Sequence, residues 1–87
     1  MSTTTYNVQS DIWEFETKIV ITDNKKIEVY QDEEQVLTIT KQDDGKVNFE
    51  FYDDFEGEWD SGVCHNTFED IKDTIVKYPF DFQVYSL

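Results

Sequence analysis

Hydrophobic and polar residues alternate along most of this chain, which is the pattern of β-strands with one buried face. The longest such stretch runs over 12–22 and places Trp13, Phe15 and Ile19 on the same side. Further alternating stretches lie at 27–31, 37–40, 47–52 and 58–64. In the last of them we expect Trp59 and Val63 to point inward. The pattern therefore predicts about five strands.

Short polar segments separate these strands and predict tight turns between neighbours. They are Asp23-Asn24, Asp32-Glu33-Glu34 and Asp43-Asp44-Gly45. The Asp-Gly step favours a hairpin because it supports the positive φ that tight turns require. Strands joined in this way predict an antiparallel β-meander.

The hydrophobic period changes after residue 66. Apolar residues then recur at steps of three, four and three, which is typical of one face of a helix: Phe68, Ile71, Ile75 and Tyr78. Asn66 or Thr67 can cap this helix at its start, and Pro79 ends it. Beyond the proline, alternation resumes at Phe80, Phe82 and Val84 and predicts a final strand.

The predicted fold class is α+β: a meander of about five strands, one C-terminal helix packed on the sheet, then a final strand. We expect residues 1–11 to be a flexible N-terminal segment, in which Tyr6 and Val8 could begin a short edge strand. Residues 12–87 should form a single domain. The expected core combines the inward positions of every element: Trp13, Phe15, Ile19, Val29, Leu37, Phe49, Phe51, Phe68, Ile71, Ile75, Phe82 and Val84.

Composition adds charge to this picture. The 87 residues contain 20 acids and seven lysines, with no arginine and no alanine, and the net charge is −13. Such a balance argues against direct binding to nucleic-acid phosphates or to an anionic membrane. The chain shows no apolar run long enough for a bilayer and no secretory leader, so we expect a cytoplasmic location, in a host cell if the gene belongs to a phage.

Cys64 and His65 are the single cysteine and the single histidine. Neighbours in a strand point to opposite faces, so we expect no catalytic Cys–His pair here. A zinc site needs three or four ligands at recognised spacings, and these two residues stand alone. The sequence has no nucleotide-binding glycine motif either. We therefore expect a protein that is not an enzyme and has no cofactor.

The acidic segment 53–60 invites comparison with calcium-binding loops. An EF-hand loop carries an acid five positions before its glycine, and Tyr52 occupies that position relative to Gly57. That motif is therefore excluded, whereas an irregular calcium site within 53–60 stays open.

Acidic residues are densest between Val47 and Asp60, where six acids face no base. Net charges of about 2–8 suffice for the solubility of a small domain, so −13 calls for another explanation. Carboxylates two apart in a strand lie roughly 6.7 Å from one another, which suits imitation of a phosphate track. The expected partner-binding residues are these acids, the aromatic residues among them and the acids of the helix: Glu50, Asp53, Asp54, Phe55, Glu56, Glu58, Trp59, Asp60, Glu69, Asp70 and Asp73.

In size, charge and lack of catalytic motifs the chain is similar to the small acidic inhibitors that phages direct against host nucleic-acid enzymes. These include anti-restriction proteins, anti-CRISPR proteins and uracil-DNA glycosylase inhibitors. The likeness assigns no residue a role, and it implies a mimic of nucleic-acid charge that blocks the basic binding site of a host protein.

Two other functions fit the same residues. An immunity protein or antitoxin would use its acids to neutralise a basic toxin, and an accessory structural module would carry its charge incidentally. Whether duplex or single-stranded nucleic acid is imitated stays open. An unprotected edge strand would also allow a homodimer.

Overall fold

The computed structural model describes residues 2–9, 16–53 and 55–77. These residues form six strands and one helix, in the order β1 (Thr3–Gln9), β2 (Glu16–Thr22), β3 (Lys26–Gln31), β4 (Glu34–Lys41), β5 (Val47–Asp53), β6 (Glu58–Val63) and α1 (Phe68–Lys77). All six strands belong to one antiparallel sheet whose spatial order is the order along the chain. The α+β class and the meander are therefore confirmed, with six strands in place of about five. The predicted final strand and residues 10–15 lie outside the described residues.

Within the segment 1–11, which we expected to be flexible with a possible short edge strand at Tyr6 and Val8, the described residues contain a strand that includes both. Thr3–Gln9 pairs with β2 along its whole length, with Tyr6 opposite Ile19. A hydrogen bond of 2.7 Å from the Asp23 N–H to the Ser2 carbonyl continues the pairing beyond the strand. The threonines of this segment are polar, which is typical of loops. Their β-branched side chains are nevertheless stiff and favour a strand.

Two of the predicted turns place both of their central residues at positive φ. Asp23 and Asn24, between β2 and β3, have φ of 52° and 54°, and Asp32 and Glu33, between β3 and β4, have φ of 50° and 72°. Positive φ at both central residues matches the right-handed twist of the flanking strands. These short connections keep each strand beside the next one in sequence.

The helix lies on one face of the sheet, here called the inner face. The buried core is formed by inner-face side chains of the strands, by Cys64 and by three helix residues: Ile19, Ile21, Ile27, Val29, Leu37, Ile39, Val47, Cys64, Phe68, Ile71 and Ile75. Phe49 and Phe51 pack at its margin, half-buried. Trp13, Phe15, Phe82 and Val84 of the expected core lie outside the described residues.

Thr67 caps the start of α1. Its Oγ1 accepts a hydrogen bond of 3.2 Å from the Asp70 N–H, which satisfies one of the free donors at the helix N-terminus. The prediction that Thr67 can cap the helix is therefore confirmed. The described residues hold no helix with the length and hydropathy that crossing a membrane requires.

Strand β6 has the opposite phase to the one predicted. Trp59 and Val63 point to the outer face, where 47% and 58% of their surface is exposed. Gly62 points inward instead, and the Phe49 ring lies against it so closely that a Cβ at Gly62 would come within 2.7 Å of Phe49 Cζ. The Phe49 ring occupies the space that a side chain at position 62 would need. Glycine therefore takes the inward position, and the residues on either side of it point outward.

Candidate functional site

The acidic side chains are concentrated at one end of the sheet. In an antiparallel meander every second connection lies at the same end, so the β3–β4 and β5–β6 turns lie together with the start of β2. We call this region the acidic end, and its eight described carboxylates are Glu16, Asp32, Glu33, Glu34, Asp53, Glu56, Glu58 and Asp60. The row spans four strand spacings from β2 to β6, or about 19 Å.

The opposite end of the sheet carries most of the lysines. Lys25, Lys26, Lys41 and Lys46 lie at or beside the β2–β3 and β4–β5 turns. The helix adds Lys72, whose Nζ is 3.4 Å from Asn24 Oδ1, and Lys77. Six acids balance them there: Asp23, Asp43, Asp44, Glu69, Asp70 and Asp73. The negative charge is therefore polarised toward the acidic end.

Two hydrogen bonds connect the start of β2 to the β3–β4 turn. Asp32 Oδ1 accepts a hydrogen bond of 3.0 Å from the Glu16 N–H, and the Asp32 N–H donates one of 2.9 Å to the Glu16 carbonyl. Glu16 and the β3–β4 turn are thus tied together. Lys18, which does not belong to the lysine-bearing end, lies near Glu16 and Glu33. Its Nζ is 4.9 Å from the centroid of the Tyr30 ring.

The β5–β6 loop is ordered by Asp53. Its Oδ1 accepts hydrogen bonds from the N–H groups of Phe55, at 2.9 Å, and Glu56, at 3.3 Å. Its carbonyl accepts a third, of 2.7 Å, from Gly57, whose φ of 71° suits glycine. The side chain and the backbone of Asp53 therefore shape the tip together and lower the conformational entropy of the loop.

The β5–β6 hairpin presents different chemistry on its two sides. Asp53, Glu58 and Asp60 share the inner side, since residues opposite each other in a pair point to the same face. On the outer side Tyr52 and Trp59 form a ring pair with centroids 5.8 Å apart and planes tilted by 57°. Phe55 at the tip is 98% exposed. The hairpin thus offers carboxylates beside uncovered aromatic surface.

A hydrogen bond and neighbouring negative charges raise the pKa of one carboxyl group in the β5–β6 loop. A side-chain hydrogen bond with Glu58 raises the pKa of the Glu56 carboxyl, and the charges of Asp53 and Asp60 raise it further. Carboxylate oxygens of Asp53, Glu56 and Asp60 lie within 4.8 Å of one another. Three oxygen ligands could hold a cation, but Ca²⁺ takes six to eight, so the irregular calcium site stays a prediction.

The structure brings together only part of the predicted partner-binding set. Asp53, Phe55, Glu56, Glu58, Trp59 and Asp60 belong to one hairpin. Glu50 lies in mid-strand on the outer face, opposite Ser61. The helix acids Glu69, Asp70 and Asp73 lie toward the lysine-bearing end, where Glu69 shares a groove with Lys41 and Lys46. Asp54 is outside the described residues.

Four acidic residues of this end are absent from the predicted partner-binding set: Glu16, Asp32, Glu33 and Glu34. Asp32, Glu33 and Glu34 were assigned only to a turn. The strand order could have revealed them. In an antiparallel meander every second turn lies at the same end of the sheet, so the β3–β4 turn lies at the same end as the β5–β6 turn.

Cys64 and His65 occupy different environments. Cys64 is buried, and burial raises the pKa of its thiol, whereas His65 is exposed. A raised thiol pKa lowers the fraction of nucleophilic thiolate at neutral pH. That this pair has no catalytic role stays a prediction.

Searches of known protein families, of curated proteins and of solved structures find no match to this chain.

Proposed function

We propose that this protein is a small, non-enzymatic acidic inhibitor that occupies the basic nucleic-acid-binding site of another protein. The observation that supports this function is the gathering of eight carboxylates at one end of a sheet, beside exposed aromatic side chains. Neither feature alone would suffice, since carboxylates also confer solubility and single exposed aromatic residues are common.

The density of charge supports the comparison with nucleic acid. Duplex DNA carries one negative charge per about 1.7 Å of axis, so about 19 Å of duplex holds about 11 phosphates. The acidic end holds eight described carboxylates over a similar length. A groove lined with lysine and arginine would therefore meet a comparable number of negative charges.

The aromatic residues supply what charge alone does not. Buried aromatic anchors hold protein complexes together, whereas rim charges mainly accelerate encounter. Phe55 projects from the tip and Trp59 from the outer side of the same hairpin. In this proposal the carboxylates set the association rate, and Phe55 or Trp59 sets the dissociation rate.

The experiment uses two variants with equal changes of charge. In the first, Glu33, Glu34, Glu56 and Glu58 at the acidic end become Gln; in the second, Asp23, Asp43, Asp44 and Asp73 toward the lysine-bearing end become Asn. All eight side chains are exposed. The parent is used to capture partners from a bacterial lysate, bound proteins are eluted by a salt gradient, and the association rate of each is measured at low salt.

We expect the first variant to associate at least about tenfold more slowly than the parent and the second to change far less, because steering depends on where the charge lies. The captured protein should bind nucleic acid, and the inhibitor should displace that nucleic acid from it. Equal rates for the two variants would refute the site. A captured basic toxin that is neutralised without displacement of nucleic acid would point to an immunity protein instead.

The aromatic anchor is tested separately by Trp59→Ala, with Val63→Ala as its control. Both side chains are exposed on the outer face of β6, but Val63 lies at the far end of the strand. Trp59→Ala should raise the dissociation rate while Val63→Ala leaves it unchanged, provided that circular dichroism shows both variants folded. An unchanged rate for Trp59→Ala would remove Trp59 from the interface.

A further inference from the structure

Strand β1 is uncharged in a protein that is otherwise dense in charge. Charged residues make up 31% of the chain, yet Thr3–Gln9 contains none. Among the described residues β1 pairs only with β2 and forms one edge of the sheet. Natural edge strands are commonly protected by lysine, proline, a bulge or short length. None of these is present in the seven residues of β1.

The other edge of the described sheet is protected. Glu58 and Asp60 lie in β6, so pairing two copies along this edge would gather four carboxylates at one junction. Like charges across a strand pair are destabilising. The two edges therefore differ in the property that decides whether a copy of the same chain can pair with them.

We infer that β1 is a homodimer interface, at which it pairs antiparallel with β1 of a second copy around a two-fold axis near Tyr6. That register pairs all seven residues, because Tyr6 is the midpoint of Thr3–Gln9. It sets uncharged residues opposite one another throughout, with Thr4 facing Val8 and Thr5 facing Asn7 across the junction. Tyr6 is 39% exposed before pairing and would meet its counterpart on the axis.

Charge favours the antiparallel arrangement over a parallel one. Antiparallel pairing reverses the second copy, so its acidic end lies beside the lysine-bearing end of the first. Parallel pairing would place two acidic ends side by side. The β5–β6 hairpins lie at the two outer edges of the joined sheet, so the dimer leaves each acidic end free and does not depend on the proposed function.

The test measures the mass of the full-length chain by sedimentation velocity across a wide range of concentration. One variant carries Thr5→Glu and Asn7→Glu, which places like charges opposite each other in the proposed register. Its control carries Val63→Glu and His65→Glu, which adds the same charge at the end of β6 and just beyond it. All four positions are exposed. Circular dichroism must show that both variants are folded.

We expect the parent and the β6 variant to dimerise with rising concentration and the β1 variant to stay monomeric. Salt should strengthen the dimer, because it screens repulsion between two chains of charge −13. Salt should weaken capture of a basic partner, so the failure of one proposal is distinguishable from the failure of the other. A parent that stays monomeric, or equal effects of the two variants, would overturn the inference.

The register is tested by oxidative cross-linking. Tyr6→Cys in a Cys64→Ser background should form a disulfide-linked dimer, since directly paired strand residues bring their Cα atoms to about 4.5–5.5 Å, within disulfide range. Val63→Cys in the same background is the control and should cross-link far more slowly. Equal cross-linking of the two would contradict pairing at Tyr6.

Discussion

Glu33 occupies a backbone conformation that side chains disfavour. Its φ of 72° lies in the left-handed region, where an L-residue with a Cβ is strained by about 1–2 kcal/mol. Glycine adopts this conformation without the steric cost but loses more entropy on folding. A charged residue in the second position of this tight turn places a carboxylate at the acidic end.

We expect Glu33→Gly to raise the free energy of unfolding by about 1 kcal/mol, which corresponds to a melting temperature about 4–8 °C higher in a domain of this size. Urea and thermal unfolding measure the change. Glu34→Gly is the control: Glu34 begins β4 in extended backbone, so glycine there should destabilise by about 0.5–1 kcal/mol. A stabilisation by both would mean that loss of charge, and not relief of strain, is the cause.

Protonation of Glu56 should make stability depend on pH. The hydrogen bond with Glu58, and then the charges of Asp53 and Asp60, raise the pKa of Glu56 above 4.5, so the folded state holds its proton more tightly than the unfolded state. This contribution to stability is fully present below the unfolded pKa and is lost as pH rises through the folded pKa. The melting temperature should therefore rise as pH falls from neutral through the folded pKa of Glu56.

Glu56→Gln is the variant that isolates this effect. Glutamine keeps the length of the side chain and carries no charge, so the variant should be more stable than the parent at neutral pH and show a flatter pH profile. A profile as steep as that of the parent would assign the titration to other carboxylates.

The close approach of Phe49 to Gly62 couples two neighbouring strands. A Cβ at Gly62 would meet Phe49 Cζ at 2.7 Å and Cε1 at 2.9 Å, so Gly62→Ala must displace the ring from its place beside Phe51. We expect a loss of about 1–3 kcal/mol in the free energy of unfolding, the usual cost of overpacking.

A double-mutant cycle with Phe49→Leu checks this coupling. The smaller leucine side chain leaves room for a Cβ, so Gly62→Ala should cost less in the Phe49→Leu background than in the parent. Additive effects of the two substitutions would show that the ring does not oppose the new methyl group.

The elements were largely predictable because period and turn chemistry are local signals. The alternation at Ile27 and Val29 and the three-four spacing of Phe68, Ile71 and Ile75 identified β3 and α1 directly. The prediction of which β6 residues point inward was wrong, because the large apolar side chain of Trp59 favoured an inward position. The Phe49 ring of the neighbouring strand lies against Gly62, so Gly62 points inward and Trp59 points outward. This contact between strands leaves no trace in the local sequence pattern.

The candidate site was less predictable than the elements because it is assembled by topology. The hairpin acids were found from their density in sequence, but the contribution of Asp32 and Glu33 depends on which connections share an end of the sheet. The helix acids, such as Glu69, were expected in the same surface, and the path of α1 places them elsewhere.

At the scale of the whole molecule, net charge should limit stability. Sixteen described acids face seven lysines, and their mutual repulsion opposes compaction. Added sodium chloride should therefore raise the melting temperature, with most of the gain below physiological ionic strength, where the screening length is still longer than about 8 Å.

The variant with four acidic-end glutamates changed to glutamine provides the control for this effect. It should melt higher than the parent at low salt, and the difference should shrink as salt is added. A difference that is independent of salt would mean that the glutamates act through local contacts instead of through repulsion.

The meander also sets the order in which the molecule can form. Each strand pairs with the next one in sequence, so the contacts of the sheet close short loops, and proteins rich in local contacts fold faster than other β-proteins. The helix that covers Ile19, Ile27 and Ile39 comes last among the described elements. During synthesis the hairpins can therefore assemble while their apolar side is still open, and until α1 leaves the ribosome this half-finished sheet exposes the kind of apolar surface that promotes aggregation.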